Sequence, residues 1–152
     1  MTNKKEIIAS IIIIGNEVLS GRTKDLNTSA ISIWLNSIGI SVQEVRVIPD
    51  IEKIIVATVN ELRKKFDYVF TTGGIGPTHD DITALSISKA FNLKYDFHKE
   101  AFSILENYYE PGKFNEGRQK MAKMPTTAKL ILNPSSGAPG FYVENVFCLP
   151  GV

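Results

Sequence analysis

Apolar and polar residues alternate along the first half of the chain in a pattern that predicts strands and helices in turn. Ile7–Ile14 is almost entirely isoleucine, as is typical of a strand buried on both faces of a parallel sheet. Ile40–Ile48 and Tyr68–Thr72 predict two more strands. The helix between them has Asp50 as a candidate N-cap. An apolar stripe at helical spacing predicts another buried helix before Gly39: Leu26, Ala30, Ile31, Trp34, Leu35 and Ile38.

The second half of the chain is less regular. Its predicted elements, after a helix that starts near Ile82, are helices at His98–Tyr109 and Asn115–Lys123, a strand at Lys129–Leu132, and a hairpin of Phe141–Val143 with Val146–Leu149. Successive strand–helix units predict an α/β fold: a three-layer, doubly wound, mostly parallel sheet with a C-terminal β-hairpin. We expect residues 1–152 to be one domain. Because such a sheet needs a covering helix after its last strand, we also expect the native chain to continue.

Composition narrows the class of protein. Seventeen basic and sixteen acidic residues are interspersed and leave a net charge of +1, which argues against nucleic acid as a partner. The longest apolar stretch is far too short to span a bilayer. Cys148, the single cysteine, lies in an apolar run and is predicted to be a packed core thiol. These features predict a cytoplasmic protein without a membrane partner.

Two polar loops follow predicted strands, at Gly15–Asn27 and Gly73–Thr83. Parallel strands place both loops at the same edge of the sheet, where open α/β sheets bind their ligands. The second loop contains Gly73, Gly74 and Gly76, which let the backbone approach a ligand closely. A helix start just beyond it suits a phosphate.

Hydroxyl and carboxylate groups accompany these glycines. Thr78 and Thr83 add candidate hydrogen-bond donors to a phosphate. Asp80 and Asp81 would repel a phosphate, unless a divalent cation bridges them to it or they bind ring nitrogens or ribose hydroxyls. Helix capping is the alternative for Asp80.

The first loop supplies Glu17, Asp25 and Asn27. Glu17 directly follows a buried strand, so a ligand contact and a solvated loop position are both open. Asp25 and Asn27 are candidate caps of the following helix, and Asn27 is also a candidate ligand contact.

At this point the sequence resembles the molybdopterin-binding domain family of MoaB/Mog type, and most closely the N-terminal domain of CinA-like competence/damage-inducible proteins. The matching segments run through the whole chain: Gly15-Asn16-Glu17, Gly21, Asp25, Asn27, Gly73-Gly74-Ile75-Gly76-Pro77-Thr78, Asp80-Asp81, Thr83, Lys120, Ala122, Pro125, Asn133-Pro134, Gly137-Ala138-Pro139-Gly140 and Leu149-Pro150-Gly151. So many glycines, prolines and acids in the same order make a chance similarity improbable.

The resemblance implies a fold, ligands and roles for residues. It implies that the strand edge binds molybdopterin or a nucleotide, within a homo-oligomer. Cofactor-making members adenylylate molybdopterin with Mg²⁺ and ATP, and the CinA-like branch is associated with hydrolysis of ADP-ribose-type pyrophosphates with Mg²⁺, Mn²⁺ or Co²⁺. Gly73, Gly74, Gly76 and Thr78 would cradle phosphate. The catalytic candidates are Asp81, Asp80 and Glu17, and the two aspartates are also the metal candidates.

Three residues depart from the family pattern. Asn16 replaces a common aspartate, which removes one possible metal ligand, and Met121 replaces a common glutamine. Asp80 replaces the arginine that cofactor-making members usually carry, which speaks against their chemistry. The leading hypothesis is therefore metal-dependent pyrophosphate hydrolysis. Adenylyl transfer to molybdopterin and a non-catalytic binding or oligomerisation module are the alternatives.

Overall fold

The structure, a computed structural model, describes residues 5–151; residues 1–4 and 152 of the predicted domain lie outside this range. Its elements in chain order are β1 (Ile7–Ile14), α1 (Asn16–Leu19), α2 (Asn27–Ser37), β2 (Ile40–Ile48), α3 (Glu52–Lys65), β3 (Tyr68–Thr72), α4 (Thr83–Ala90), β4 (Tyr95–Phe97), α5 (Lys99–Tyr108), α6 (Glu116–Lys120), β5 (Lys123–Pro125), β6 (Lys129–Ile131), β7 (Gly140–Val143) and β8 (Val146–Leu149). Within residues 5–151, every helix is too short or too polar to cross a bilayer.

Six strands form the main sheet, in the order β2-β1-β3-β8-β7-β6. β1 pairs in parallel with β2 and β3, and β3 pairs in parallel with β8. β7 returns antiparallel to β8, and β6 is antiparallel to β7. The predicted mostly parallel sheet with a C-terminal hairpin is confirmed.

Helices cover both faces of this sheet and make three layers. Alternate side chains of β1 and β3 point to opposite faces: Ile12 and Val69 join the larger core with α3 and α4, and Ala9 and Phe70 join the smaller core under α2. The larger core also holds Cys148, which is fully buried as predicted. Because both faces are covered, the nearly continuous isoleucine run of β1 lies inside the molecule.

The predicted burial of α2 is largely wrong. Leu35 is its buried residue, whereas Trp34 is 57% exposed and Leu26 and Ile38 are also exposed. α2 makes its main contacts with β2, and an apolar hollow of about 400 Å³ is lined by Trp34 and Ile38 together with Phe70 of β3 and Phe147 of β8. The sheet therefore covers the stripe only in part.

A second, two-stranded sheet pairs β4 with β5 and was not predicted. The helix predicted at Asn115–Lys123 ends at Lys120, because Lys123 already pairs with Phe97 across this small sheet. The helix predicted at His98–Tyr109 is confirmed as α5, and the His98 ring caps it by accepting from the Ala101 N–H. The small sheet stands beside the carboxyl-end edge of the main sheet through its contacts with α4.

Candidate functional site

The two predicted polar loops meet at one edge of the sheet, as expected. They follow β1 and β3, which are parallel neighbours. The Gly73 backbone lies directly against the Ile14 carbonyl, so the loop after β3 begins in contact with the end of β1. This places the segments 15–26 and 73–82 together at the carboxyl ends of the strands.

The glycines after β3 are required by the loop itself. Gly73 and Gly74 have φ of 91° and 70°, in the left-handed region. A Cβ at Gly74 would overlap the Thr83 hydroxyl, and that hydroxyl donates to the Gly73 carbonyl over 2.9 Å. Thr83 is fully buried. Its hydroxyl therefore holds the loop closed, while its predicted contact with a ligand stays a prediction.

The same loop presents backbone donors to a narrow hollow. Within residues 5–151, the N–H groups of Gly74, Ile75 and Gly76 make no hydrogen bond. These three residues line a hollow of about 10 Å³ beside Asp81. Successive free N–H groups next to positive-φ residues are a common anion-binding arrangement. A hollow of this size has room for about one water, so the phosphate cradle stays a prediction.

Asp81 is fixed within the loop. Its Oδ2 accepts from the Thr78 N–H at 3.0 Å and from the Thr78 hydroxyl at 2.9 Å. A Cβ at Gly76 would come within 2.6 Å of the same oxygen, so the glycine makes room for the carboxylate. Oδ1 makes no hydrogen bond among the described residues. That oxygen is available to a cation or a water.

Asp80 is placed differently from its neighbour. Its side chain is 77% exposed and lies 3.4 Å from the His79 ring, which is itself exposed. α4 begins at Thr83 with Ile82 as its N-cap residue and without a side-chain cap. The capping alternative for Asp80 is therefore wrong, and its carboxylate projects into solvent beside the site.

The segment after β1 forms a helical turn, α1, where a loop was predicted. The Gly15 carbonyl accepts from the N–H groups of Val18 and Leu19, which starts the turn immediately after the strand. Glu17 lies in this turn, and its carboxylate folds back over Gly15, where a Cβ would be 2.5 Å from Oε1. Glu17 is thereby held over the end of β1.

Asp50 is a site residue that the sequence analysis missed. Its predicted role as the N-cap of α3 is wrong, because Ile51 is the N-cap residue and no side chain caps that helix. Instead Asp50 Oδ2 accepts from the Asn16 N–H at 3.0 Å, and the Asp50 N–H donates to Asn16 Oδ1 at 3.2 Å. Its position at the carboxyl end of β2 is the sequence signal that could have identified Asp50 as a site residue.

The charges of the neighbouring acids affect the pKa of Asp50. Partial burial raises the pKa of Asp50 most, and the negative charges of Glu17, Asp81 and Asp80 raise it further, while the bond from Asn16 opposes this. Carboxylates that follow three neighbouring strands are therefore near enough to repel one another.

Lys120 brings a positive charge to this group of acids. It ends α6, and its ammonium donates to the backbone carbonyls of Thr78 and Asp81, the latter over 2.9 Å. Burial lowers the pKa of Lys120, and the charges of Asp81 and Asp80 oppose that shift. The lysine thus ties α6 to the glycine-rich loop and leaves a cation beside it.

Asn27 lies in a different place from the acids. Asp25 lies just before Leu26, the N-cap residue of α2, and its Oδ1 accepts from the Asn27 N–H at 2.9 Å. Of the two predicted caps, Asp25 is thus the one that bonds to the start of the helix. The Asn27 amide approaches the Gly151 carbonyl at 3.5 Å and lines a separate hollow of about 240 Å³. The hollows beside Asp81 share no lining residue with it.

The narrow hollow adjoins a wide cleft of about 820 Å³. The two share four lining residues: Asp81, Tyr95, Lys120 and Lys123. No three His, Cys, Asp or Glu side chains of the described part of the chain come together as a ready metal site. Carboxylate oxygens nevertheless suit a hard divalent cation, and Mg²⁺ is usually held by one or two of them together with substrate phosphates.

Comparison with known proteins gives consistent similarities. The family model described as a probable molybdopterin binding domain matches residues 10–152. A protein of Archaeoglobus fulgidus is 38% identical over 142 residues, which cover 93% of this chain and 61% of that protein. A protein of Caldivirga maquilingensis is 39% identical over 150 residues, covering 95% and 58%. The chain spans about three fifths of the length of these curated relatives.

Solved structures agree with the sequence matches. CinA from Thermoplasma acidophilum, described as a protein of unknown function, superposes with a TM-score of 0.87 at 33% identity, covering 95% of this chain and 88% of that chain. The tungsten cofactor synthesizing protein MoaB from Pyrococcus furiosus superposes with a TM-score of 0.59 at 22% identity, covering 98% and 84%. At 22% identity, the similarity to MoaB shows the fold alone.

Proposed function

Because the chain belongs to the probable molybdopterin binding domain family, we propose that this domain binds a phosphate-bearing nucleotide or pterin beside Asp81. We propose further that it hydrolyses the pyrophosphate bond of a dinucleotide such as ADP-ribose, with a divalent cation. The observation that carries the proposal is that Glu17, Asp50 and Asp81 follow three neighbouring strands and repel one another at the edge that also has free backbone N–H groups. A site that held phosphate alone would have little use for so many carboxylates.

Phosphate binding is assigned to the glycine-rich loop. The free N–H groups of Gly74, Ile75 and Gly76 are the candidate donors, and the Lys120 ammonium is the nearby cation. The Thr78 hydroxyl is bonded to Asp81, so its oxygen can still accept but its proton is engaged. The backbone therefore carries most of the predicted cradle.

The acids need a positive partner when phosphates are bound. Asp81, through its free Oδ1, and Asp80 are the proposed ligands of Mg²⁺, Mn²⁺ or Co²⁺. Such a cation neutralises phosphate charge and lowers the pKa of a bound water. Thr78 engages Asp81 through Oδ2, which leaves Oδ1 without a hydrogen bond among the described residues.

In the proposed hydrolysis a water oxygen bonds to one phosphorus while the bond from that phosphorus to the bridging oxygen breaks. ADP-ribose and water give AMP and ribose 5-phosphate, and the proton from water passes to a carboxylate. Glu17 and Asp50 are the candidates to position the water and accept its proton. The raised pKa of Asp50 favours this carboxylate as the acceptor of that proton.

The test is turnover of ADP-ribose and of FAD by the purified protein with Mg²⁺, Mn²⁺ or Co²⁺, followed as release of AMP. We expect turnover with at least one of these metals and none after EDTA. Binding without turnover under all three metals would contradict the hydrolase proposal and favour the binding module.

Two rival functions remain to be compared in the same assay. Adenylyl transfer to molybdopterin would show as ATP-dependent adenylylation, and the exposed Asp80 carboxylate beside the phosphate site disfavours it. The alternative of a non-catalytic module is supported by Asn16, which stands where the family pattern commonly has an acid. Its side-chain oxygen accepts a hydrogen bond from the Asp50 N–H. The exposed apolar side chains of α2, such as Trp34, support the proposal of a homo-oligomer, which sedimentation would test.

A further inference from the structure

Two aromatic residues of the small sheet form a wall of the wide cleft. Tyr95 and Phe97 are two positions apart on β4, so both side chains lie on the same face of the strand. Both line the cleft that also contains Asp81. Tyr95 is half-buried, and Phe97 is 40% exposed, which is unusual for so large an apolar ring. Tyr95 also lines the narrow hollow beside Gly74 and Gly76, whereas Phe97 lines the wide cleft only. The wall therefore runs from the glycine-rich loop into the cleft, with Phe97 at its far position.

The Phe97 ring is held in place by its neighbours. The Phe102 ring lies behind it, with centroids 5.4 Å apart in an edge-on arrangement. Lys123 is directly opposite Phe97 in the β4–β5 pairing, and its ammonium lies 5.0 Å from the centre of the ring. A ring fixed in this way loses little conformational freedom when a second ring stacks on it.

Opposite charges lie side by side in the cleft. Asp81, Lys120 and Lys123 all line the part shared with the narrow hollow, whereas Phe97 lines the wide cleft only. This arrangement matches a molecule that has phosphates near the lysines and a planar ring beyond them. A sugar phosphate without a ring would leave the aromatic wall uncovered.

We infer that the wall formed by Tyr95 and Phe97 is the subsite for the ring of the ligand, a planar nucleobase or pterin. Lys120 and Lys123 then meet the phosphate that joins this ring to the rest of the molecule. The inference rests on the proposed function, since it takes the phosphates to lie beside Asp81 in the same cleft. It adds a recognition element outside the glycine-rich loop.

Calorimetric titration with four probes tests the subsite: AMP, a 6-hydroxymethylpterin phosphate, ribose 5-phosphate and ADP-ribose. We expect Phe97→Ala to weaken AMP or the pterin phosphate about tenfold or more, since base stacking on an aromatic residue is typically of this size. Ribose 5-phosphate should bind the variant and the wild type equally. The two ring-bearing probes show which kind of ring the wall prefers.

Two further variants keep the test independent of folding. Phe97→Leu preserves apolar bulk against Phe102 but removes the flat ring, so it should weaken the ring-bearing probes as well. Trp34→Ala removes an exposed aromatic residue from the other side of the sheet and should leave every affinity unchanged.

The outcomes separate this inference from the proposed function. If the wild type binds ribose 5-phosphate and ADP-ribose but both Phe97 variants retain full affinity for AMP and the pterin phosphate, the subsite is wrong and the phosphate site stands. An equal loss for ribose 5-phosphate would also overturn the subsite, because the ring would not be what Phe97 recognises. If the wild type binds none of the four probes, both proposals fail.

Discussion

The segments 15–26 and 73–82 occupy equivalent positions after parallel strands, yet they are built differently. The second closes on itself through Thr83, Thr78 and Asp81, and Lys120 ties it to α6. The first forms a short exposed helix, and its link to the acids is the pair of hydrogen bonds between Asn16 and Asp50. Side chains therefore tie down the glycine-rich loop, whereas the first loop carries the Glu17 carboxylate and bonds to that of Asp50.

This difference shows that polarity after a strand locates a site without telling how each loop is held. Backbone hydrogen bonds close the first loop, such as that from the Thr23 N–H to the Glu17 carbonyl, whereas side chains close the second. Only the structure gives that.

The largest effect is expected at Gly74. Gly74→Ala places a methyl group against the Thr83 hydroxyl, at a residue whose φ is 70°. The steric overlap and the backbone strain then both oppose folding. We expect the free energy of unfolding to fall by about 3 kcal/mol or more. Gly21→Ala is the matched control in the first loop, since its φ is 80° but nothing lies within 4 Å of the new Cβ. It should cost about 1 kcal/mol in urea denaturation, and equal losses would remove the contrast between the loops.

Asp81→Asn should abolish most turnover without unfolding the protein. Asparagine keeps the shape and can still accept from Thr78, but it removes the charge proposed to hold the cation. We expect turnover of ADP-ribose to fall about a hundredfold, roughly 3 kcal/mol, with little change in melting temperature. Asp80→Asn should cost much less, because Asp80 is exposed. A parallel fall in rate and melting temperature for Asp81→Asn would make the residue structural instead.

A smaller effect is expected at Glu17. Its carboxylate is held over the end of β1 near Asp50, so Glu17→Gln should lower turnover about tenfold, as is typical of groups that orient others in a site. Glu106→Gln, an exposed change on α5, is the control and should have no effect. An unchanged rate for Glu17→Gln would place that side chain outside the mechanism.

The smallest effect is expected on the free energy of unfolding when Asp50 is replaced. Its raised pKa means that the folded protein holds this proton more tightly than the unfolded chain does, so the carboxylate costs stability above the folded-state pKa and the cost disappears as pH falls. With EDTA present, Asp50→Asn should raise the free energy of unfolding slightly at pH 7, by no more than about 0.5 kcal/mol. The gain should vanish near pH 3. A clear loss at pH 7 would show that bonding to Asn16 outweighs the charge repulsion.

Much of the fold was predictable from the sequence because hydrophobic periodicity reports secondary structure directly. The isoleucine run of β1 and the apolar side of α3, with Ile55 and Leu62 fully buried, both appear in the structure. The same signal failed for α2, since periodicity shows which side of a helix is apolar but not how closely that side packs on the sheet. Trp34 meets Phe70 of β3 edge-on beside an apolar hollow and stays 57% exposed.

The candidate site was predictable in place but not in detail. The glycines and acids of the two loops indicate the edge of the sheet at which the site lies. Asp50 could not be recognised as a site residue from the sequence, because an acid just before a helix also suits an N-cap. The small sheet of β4 and β5 was not predicted, because strands of three residues are too short to show a hydrophobic periodicity. Phe97 and Lys123 meet only through that pairing, which joins residues far apart in the chain.

Cys148 has a practical consequence. The thiol is fully buried between Thr71 of β3 and Phe141 of β7, and burial raises its pKa to about 12. At pH 8 only about one thiol in ten thousand is then the reactive thiolate while the protein is folded. Alkylating reagents can modify it at an appreciable rate only after these strands separate. Mass-spectrometric labelling of this residue would therefore measure how often the centre of the sheet opens, with no ligand needed.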